Sequence, residues 1–471
     1  MAYKTAIFGQ ASRVFRISRL AAAYGHPVIG HEPAAALATS KRAYSSFVAR
    51  RGTNVSSGSS KVVWLTPGSI VVEDGADKGP VKRSSLDNCR CSQCVNPSTS
   101  QRNFDTFAVS SLTECSSHVL CAPVDEPAAD SYVHPKIPTD VTPSQVESGA
   151  NDLKVKWNHD GHESFYSWEF LSFYQNNDAR TAEPLDLQLW GAEIASKPPS
   201  VTFEEVMSKD SDDSGVAKMT QLIRLYGMVF VEGTPHDSPA ATESLLRRIA
   251  FIRETHYGGF YDFIPDMAMA DTAYTNIRLP AHTDTTYFSD PAGLQSFHIL
   301  SHTGKNAKGG SSLLVDGFKA AAALKKESPE AYTILQKVRL PWHASGNEGI
   351  TISPDQRYPV LETGSEGELL RVRWNNDDRG VVPFEHGIDP VQWYEAARKW
   401  YEIINRQDIE YWRLLKPGTT LIFDNWRVMH GRSEFSGIRR VCGGYVNRDD
   451  FISRWRNTNY PRAQILDRIV G

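Results

Sequence analysis

The stretch that decides the fold covers residues 420–446 and has the sequence TLIFDNWRVMHGRSEFSGIRRVCGGYV. It contains two strand-like apolar runs, Thr420–Phe423 and Arg440–Val446, and His430 lies between them. Similar runs recur upstream at irregular spacing, without strand–helix alternation, a glycine-rich phosphate loop or an internal repeat. The pattern therefore favours a mainly β fold with flanking helices, a sandwich or barrel rather than a Rossmann fold.

Working outward from this stretch, hydrophobic periodicity and turn residues predict the neighbouring elements. The predicted helices are Val216–Tyr226, Ala241–Glu254, Phe318–Lys326, Ala331–Lys337 and Pro390–Gln407. The other predicted strands are Lys61–Leu65, Ser69–Val72, Leu153–Trp157, Gly227–Val231, Leu294–Leu300, Ser311–Val315, Val338–Pro341 and Leu369–Trp374. A further helix is predicted to begin at Ser167–Leu171.

The chain has 471 residues, which is too long for one ordinary core and suggests two folded units with tails. We expect a small N-terminal domain over residues 55–175, with a surface insertion rich in Ser, Pro, Asp and Thr near 110–147. A linker over 175–200 would join it to a catalytic domain over 200–471.

Residues 1–51 differ in composition from the rest of the chain. Their only acid is Glu32, and their bases are Lys4, Arg13, Arg16, Arg19, Lys41, Arg42, Arg50 and Arg51. A helix over Ser12–Leu20 would place its arginines on one side and its apolar residues largely on the other. This pattern is typical of a mitochondrial transit peptide, the alternative being a tail without a targeting role. We therefore expect the protein to be located in the mitochondrial matrix.

Composition excludes several other classes of protein. The chain is 40% hydrophobic and 23% charged, with a mean hydropathy of -0.40, and no apolar stretch is long enough to span a membrane. Its net charge of -4 and the lack of a long basic run argue against nucleic acid as a partner. The composition is that of a globular protein.

The strongest local signal is His282-Thr283-Asp284, followed 148 residues later (430 − 282) by His430. Two imidazoles and one carboxylate on one face of Fe(II) leave positions open for a bidentate cosubstrate and O2. In an extended strand, residues two apart point the same way, so His282 and Asp284 can reach one metal. A lone His-x-Asp is a weak signal, since a hydrogen-bonded polar pair in the core has the same pattern.

An arginine downstream strengthens the metal interpretation. Arg439 lies nine residues (439 − 430) after His430, where a strand beside the metal could place it. A guanidinium can hold the distal carboxylate of 2-oxoglutarate through two parallel hydrogen bonds. Arg440 is the alternative, because adjacent residues of a strand face opposite ways; a surface salt bridge is the structural alternative for either residue.

Three cysteines, Cys89, Cys91 and Cys94, cluster within six residues, which suggests metal binding rather than disulfides. Tetrahedral zinc needs a fourth ligand, and a closed site of four ligands would be structural. The candidates for the fourth ligand are His159, His162, Cys115, His118 and His134.

Several motifs in order resemble the γ-butyrobetaine/trimethyllysine dioxygenase family, from about residue 60 to the C-terminus apart from the insertion. They are Asp271–Thr275, His282–Phe288, Gly293–His298, Leu314–Phe318, Arg373–Asn376, Phe423–Arg432 and Gly443–Asp450. The resemblance implies a double-stranded β-helix (jelly roll) catalytic domain behind a small zinc-binding domain. It also places His162 as the fourth zinc ligand. A homodimer is a possible assembly.

The resemblance implies iron ligands at His282, Asp284 and His430, and 2-oxoglutarate on Arg439. The activity would be Fe(II)/2-oxoglutarate-dependent hydroxylation of Nε-trimethyllysine at C3, with ascorbate as reductant, the first step of carnitine biosynthesis. The alternative is γ-butyrobetaine hydroxylation, although the forms of the motifs around His282 and Asp449 resemble the trimethyllysine branch. A non-catalytic jelly roll would show a broken triad or a lost arginine, and neither is found.

A quaternary ammonium group cannot donate ordinary hydrogen bonds, so its recognition needs aromatic faces. Four tyrosines fall at the cage positions of the family, namely Tyr257, Tyr261, Tyr274 and Tyr445, although Tyr261 stands where the family more often has tryptophan. Tyrosines packed in a core are the structural alternative for any one of them. The candidates for the amino and carboxylate ends of the substrate are Asp271, Asn375, Asn376 and Asp378.

Overall fold

The structure is a computed structural model that describes residues 61–66, 69–74, 77–81, 143–157, 163–168, 187–208, 213–264, 275–346, 348–365, 367–462 and 464–465. The predicted transit peptide, the cysteine cluster with its candidate fourth ligands, Asp271 and Tyr274 lie outside these residues. Within them, no helix has the length and apolar character that crossing a membrane requires.

Strands outnumber helices in this part of the chain. The strands are β1 (Lys61–Thr66), β2 (Ser69–Asp74), β3 (Asp77–Val81), β4 (Pro143–Ser148), β5 (Asp152–Trp157), β6 (Glu163–Ser167), β7 (Ser200–Thr202), β8 (Met228–Glu232), β9 (Tyr261–Phe263), β10 (Leu279–His282), β11 (Leu294–Gly309), β12 (Ser312–Asp316), β13 (Leu361–Thr363), β14 (Leu369–Val372), β15 (Tyr411–Arg413), β16 (Thr419–Asp424), β17 (Val428–Arg432), β18 (Phe435–Gly443) and β19 (Tyr445–Val446). The helices are α1 (Phe203–Met207), α2 (Ser214–Tyr226), α3 (Ala240–Ile249), α4 (Gly317–Glu327), α5 (Pro329–Lys337), α6 (Pro390–Ile404) and α7 (Arg448–Asn459).

Two antiparallel sheets form the centre of the fold. The larger has the order β7-β8-β16-β11-β18-β9, in which only the β7–β8 pair is parallel, and β19 pairs with β11. The smaller has the order β10-β17-β12-β15. Buried residues of both sheets, among them Phe230, Phe423, Leu314 and Val428, share one core. The sheets therefore pack face to face, as predicted for a β-sandwich or barrel.

Helices cover the outer faces of both sheets. Because side chains alternate along a strand, Phe230 points into the core between the sheets, while Val229 and Val231 pack with α2, α3 and α7. The outer face of the smaller sheet packs in the same way against α4, α5 and α6. Both faces of the central strands are thus buried, which explains their continuous apolar runs.

A buried ion pair joins the smaller sheet to its surroundings. Asp316 ends β12 and caps α4, accepting hydrogen bonds from the backbone N–H groups of Phe318 and Lys319. The same carboxylate accepts two hydrogen bonds from Arg427, at 2.7 and 3.0 Å, just before β17 begins. This contact fixes the start of the strand that carries His430.

Most predicted elements are confirmed, and the differences have physical causes. Val338–Pro341 is not a strand; Leu340 forms only an isolated bridge to Tyr358. The helix predicted over Ala241–Glu254 ends at Ile249, because Ala250 is extended. The strand predicted over Leu294–Leu300 continues to Gly309. Its second half is largely exposed and lacks the apolar pattern of a strand, but it is held by pairing with β18.

Two boundaries in the N-terminal half also differ from expectation. Residues 143–147, assigned to the insertion, belong to β4 of the small sheet β4-β5-β6. Residues 187–200, assigned to the linker, contain a 3-10 helix (Ala192–Ser196) and Trp190, which is 2% exposed within the core between the two central sheets. Of the helix predicted from Ser167, the described residues are Ser167, which ends β6, and Trp168, since 169–171 lie outside the described residues.

Candidate active site

The sheet pairing brings the candidate metal ligands together. His282 ends β10 and lies directly opposite His430 on β17. Asp284 follows two residues later, outside the strand, and not within an extended strand as predicted. The candidate ligand atoms of the three residues all lie within 4.8 Å of one another. Oδ1 of Asp284 is 3.2 Å from Nε2 of His282 and 3.7 Å from Nε2 of His430.

Asn425 holds the backbone of Asp284 in place. Its side-chain oxygen accepts a hydrogen bond from the Asp284 N–H at 2.8 Å, and its amide group donates to the Asp284 carbonyl at 2.9 Å. The same amide donates to the Ala292 carbonyl at 3.1 Å. Thr285, the next residue, has a φ of 57°, in the left-handed region, where the chain turns after Asp284. Asp284 can therefore face the two histidines without belonging to their strands.

Hydrogen bonds also select the ligand atoms. Nδ1 of His282 is 2.8 Å from the Pro280 carbonyl, so it donates there and leaves the lone pair of Nε2 free. Oδ2 of Asp284 accepts from Gln295 Nε2 at 2.6 Å and from the Tyr445 hydroxyl at 2.7 Å. Oδ1 is left to face the imidazoles.

The electrostatics of the three residues suit a divalent cation. Burial and, to a smaller extent, His282 lower the pKa of His430 to about 3 against the opposing effect of Asp284, so the imidazole is neutral at physiological pH. Burial acts to raise the pKa of Asp284, but His430 and His282 outweigh it and hold that pKa below its ordinary value. Two imidazole nitrogens and one ionised carboxylate form the facial donor set of Fe(II) oxygenases, so the residues present fit iron(II).

The triad lies in a cavity of about 420 Å³ between the two central sheets. Strands of both sheets and residues of the intervening loops line it. The lining residues outside the triad include His256, Tyr257, Tyr261, Phe263, Tyr287, Gln295, Phe297, Leu313, His343, Ser345, Asn375, Asp377, Asp378, Leu421, Arg432, Arg439, Val441 and Tyr445.

The two candidate arginines take opposite positions. Arg439 lines the cavity at 7% exposure, makes no hydrogen bond or ion pair with a described residue, and has a pKa that burial and Arg432 lower to about 9. Arg440 points outward and pairs with Asp262 at 2.5 Å. Alternation along β18, within which both residues lie, explains the difference.

Arg432 is a second buried arginine in the cavity, two residues after His430. Its Nη2 donates to the carbonyls of Thr275, at 2.5 Å, and Ile277, at 3.1 Å, while its buried Nε has no partner among the described residues. Burial lowers its pKa to about 10. The cavity thus holds two guanidinium groups, and neither pairs with a carboxylate within the described ranges.

Aromatic side chains line another part of the cavity. Tyr261 and Tyr445 have ring centroids 6.0 Å apart at 66°. Tyr257 stacks on His256, with centroids 3.9 Å apart, and His256 also contacts Tyr287. Three of the four predicted cage tyrosines therefore lie in one cavity, and the fourth, Tyr274, lies outside the described residues.

The candidates for the polar ends of the substrate are divided. Asn375 and Asp378 line the cavity, and the carboxylate of Asp378 accepts from Thr286 Oγ1 at 2.6 Å and from Asn375 Nδ2 at 2.9 Å. Asn376 instead faces a neighbouring pocket and accepts a hydrogen bond from Arg379. Asp377, which the sequence did not single out, lines both spaces.

Sequence reasoning missed five residues that contribute to the site. They are Gln295, Asn425, Arg432, His256 and Tyr287. Gln295, Arg432 and Tyr287 stand inside the quoted motifs, so their alternation with His430 or their distance from His282 could have suggested them. Asn425 also stands in a quoted motif, but neither alternation nor spacing predicts its contacts with Asp284, and His256 lies outside the motifs.

Comparison with known proteins assigns the chain to a family. Residues 181–445 match the model described as taurine catabolism dioxygenase TauD, TfdA family, and residues 86–172 match gamma-butyrobetaine hydroxylase-like, N-terminal. The trimethyllysine dioxygenase of Neurospora crassa is 55% identical over 416 residues, which is 82% of each chain. The chain belongs to the trimethyllysine dioxygenase family.

More distant relatives agree with this assignment. The mitochondrial trimethyllysine dioxygenase of Homo sapiens is 36% identical over 79% of this chain and 80% of its own length. The gamma-butyrobetaine dioxygenase of Homo sapiens is 28% identical over 58% of this chain and 69% of its own length. As a member of the trimethyllysine dioxygenase family, the chain is an Fe(II)/2-oxoglutarate-dependent oxygenase with a mainly β fold.

Proposed function

We propose that the chain hydroxylates Nε-trimethyllysine at C3, giving 3-hydroxy-trimethyllysine, succinate and CO2 as the first step of carnitine biosynthesis. One observation carries the proposal: the converged triad of His282, Asp284 and His430 shares its cavity with a group of aromatic rings. The identity to proteins named trimethyllysine dioxygenase supports this substrate.

His282, Asp284 and His430 would hold iron(II) through Nε2, Oδ1 and Nε2. When bound, the metal together with 2-oxoglutarate and O2 supplies the oxidation, in which one oxygen atom enters succinate and the other the C3–H bond of the substrate. Arg439 would pair with the distal carboxylate of 2-oxoglutarate. Arg432 adds a second buried positive charge beside Arg439, and two positive charges favour a cosubstrate that carries two negative charges.

Tyr257, Tyr261 and Tyr445 would enclose the trimethylammonium group, and His256 and Tyr287 extend the same aromatic wall. Their faces attract the cation without the hydrogen bonds that it cannot donate. The fit of the substrate also excludes water from the metal. Asn375, Asp377 and Asp378 would meet the amino acid end, where an acid pairs with the α-ammonium group that γ-butyrobetaine lacks.

The alternative, γ-butyrobetaine hydroxylation, places the cation much nearer the reacting carbon. Three methylene groups separate C3 from the nitrogen in trimethyllysine, and one does so in γ-butyrobetaine. The shorter match to gamma-butyrobetaine dioxygenase also disfavours this reading.

The N-terminal region carries two further proposals. We infer that Cys89, Cys91, Cys94 and His162 bind a structural zinc ion, because all four fall within the match to the gamma-butyrobetaine hydroxylase-like N-terminal family. We also propose that residues 1–51 direct the chain to mitochondria. Their composition and the mitochondrial naming of animal relatives support this.

The catalytic domain would be a double-stranded β-helix, in keeping with its two facing sheets.

The direct test is succinate release by the purified chain with iron(II), ascorbate and 2-oxoglutarate. Trimethyllysine and γ-butyrobetaine are supplied in parallel, and the products are identified by mass. We expect turnover with trimethyllysine that is abolished by His282→Ala. Turnover with γ-butyrobetaine alone would overturn the substrate, and no turnover with either in iron-loaded protein would overturn the activity.

A further inference from the structure

Tyr445 touches both ends of the cavity. Its hydroxyl donates a 2.7 Å hydrogen bond to Oδ2 of Asp284, and its ring lies against that of Tyr261. The side chain is 5% exposed, and its backbone carbonyl accepts a hydrogen bond from the Arg253 N–H at 2.8 Å. One rigid phenol therefore spans from the aromatic wall to the carboxylate of the triad.

The hydroxyl does not act on Asp284 alone. Gln295 Nε2 donates to the same Oδ2 at 2.6 Å, and Gln295 and Tyr445 lie opposite each other where β11 pairs with β19. Side chains of directly opposed residues lie on the same face of a sheet, so both donors reach one oxygen. With Oδ2 held twice, rotation of the carboxylate is restricted and Oδ1 stays beside the two Nε2 atoms.

We propose that Tyr445 is a positioning residue that couples the binding of the trimethylammonium group to the orientation of Asp284. This inference rests on the proposed function, because it takes the phenol ring as a wall of the cage. A cation packed on that ring restricts its motion, and the hydroxyl moves with the ring. Coupling of this kind is reciprocal, so substrate should tighten metal binding as metal tightens substrate binding.

Tyr261 provides a matched control. It lines the same cavity and contacts the same ring, but its hydroxyl donates to the Ser296 carbonyl at 2.5 Å and reaches Asp284 only indirectly, through Gln295. This contact needs glycine at position 443. A Cβ atom there would clash with the Ser296 carbonyl oxygen, at 2.0 Å, and with the Tyr261 hydroxyl, at 2.8 Å. Replacing either tyrosine by phenylalanine keeps the ring and removes one hydroxyl.

The experiment measures Mn(II) affinity of the full chain by calorimetry for wild type, Tyr445→Phe and Tyr261→Phe, with 2-oxoglutarate present. Loss of a hydrogen bond to a metal-ligating carboxylate typically weakens metal binding by about 10-fold or more. We expect that loss in Tyr445→Phe and a clearly smaller one in Tyr261→Phe, whose hydroxyl reaches the ligand only through Gln295. Thermal unfolding of the metal-free proteins checks that all three are folded.

A second arm repeats the titrations with trimethyllysine. Substrate should tighten Mn(II) binding in wild type and in Tyr261→Phe, and this gain should largely disappear in Tyr445→Phe. Unchanged metal affinity in Tyr445→Phe, or equal losses in both variants, would overturn the positioning role. An undiminished gain in Tyr445→Phe, or no gain in wild type, would overturn the coupling. If trimethyllysine fails to bind wild type at all, the proposed function fails, while the substrate-free arm still decides the role of the hydroxyl.

Discussion

At the metal end of the cavity, strand pairing places both histidines and hydrogen bonds hold His282 and Asp284, whereas the aromatic end is assembled from rings on separate segments. His282 and His430 face each other across two strands, and Asn425 holds Asp284 by its backbone. Tyr257 lies in a turn and contacts His256, while Tyr261 and Tyr445 lie on two short strands and contact each other.

The two ends of the cavity should therefore respond differently to substitution. A fixed donor set loses its function when one member is removed, because the remaining two ligands do not complete the facial arrangement. An aromatic wall made of several rings weakens by steps, since each ring contributes a separate share of the cation–π attraction.

The largest effect is expected at the metal end. Asp284→Ala should abolish stoichiometric iron binding and lower turnover by about a thousandfold or more, since the several kcal/mol that the metal supplies are lost. Iron content and succinate release measure the two effects. Retained iron with normal turnover would show that Asp284 is not a ligand.

The next largest effect distinguishes two neighbouring arginines. Arg439→Gln should weaken 2-oxoglutarate binding by about 10- to 100-fold, because a buried charge-assisted hydrogen bond contributes about 1.5–3 kcal/mol. Calorimetric titration of the Mn(II)-loaded protein measures the affinity. Arg440→Gln is the control, since this residue is exposed and pairs with Asp262; an equal loss in both variants would contradict the assignment to Arg439.

A smaller, graded effect is expected at the aromatic end. Tyr257→Leu should weaken trimethyllysine binding by about 5- to 30-fold, which corresponds to about 1–2 kcal/mol for one desolvated cation–π contact. Affinity for Mn(II) should stay near the wild-type value. Tyr401→Leu removes a half-exposed tyrosine outside the cavity and serves as the control. Loss of metal rather than substrate affinity in Tyr257→Leu would erase the distinction between the two ends.

The smallest effect concerns stability, away from both ends. Burial lowers the pKa of His298 to about 4, and His236 adds to this; its Nε2 accepts from the Gly418 N–H, which requires the neutral ring. The ordinary pKa of histidine is 6.5, so as the pH falls below this value the unfolded chain takes up a proton at His298 before the folded chain does. The stability that the neutral ring contributes above pH 6.5 is therefore lost as the pH falls towards 4.

His298→Gln removes this titration and should make the urea midpoint less sensitive to acid between about pH 7.5 and about pH 5. Thr242, which pairs with the other ring nitrogen at 2.7 Å, is unchanged in the variant. If the two proteins lose the same stability over this range, His298 does not contribute to the acid sensitivity.

The sequence predicts the site residues that lie on strands better than those that depend on loops. The histidines and Arg439 stand at fixed spacing on strands, so alternation and motif order place them in advance. Asn425 could not be predicted, because its contacts with Asp284 span 141 residues and depend on two loops meeting. Asn376 was assigned to the substrate, yet it lines only the neighbouring pocket, whereas Asn375 lines both spaces, because the chain turns at residues 376–378.

The most direct test of the central claim is paramagnetic relaxation of trimethyllysine protons by Mn(II) bound in the active site, with 2-oxoglutarate present and O2 excluded. This relaxation falls steeply with distance, so it orders the substrate protons by their distance from the metal. We expect the C3 protons to relax fastest and the N-methyl protons much more slowly, with both effects lost in Asp284→Ala. Fastest relaxation of the N-methyl protons, or no enhancement at any position, would contradict a cavity that holds C3 at the triad and the cation at the aromatic end.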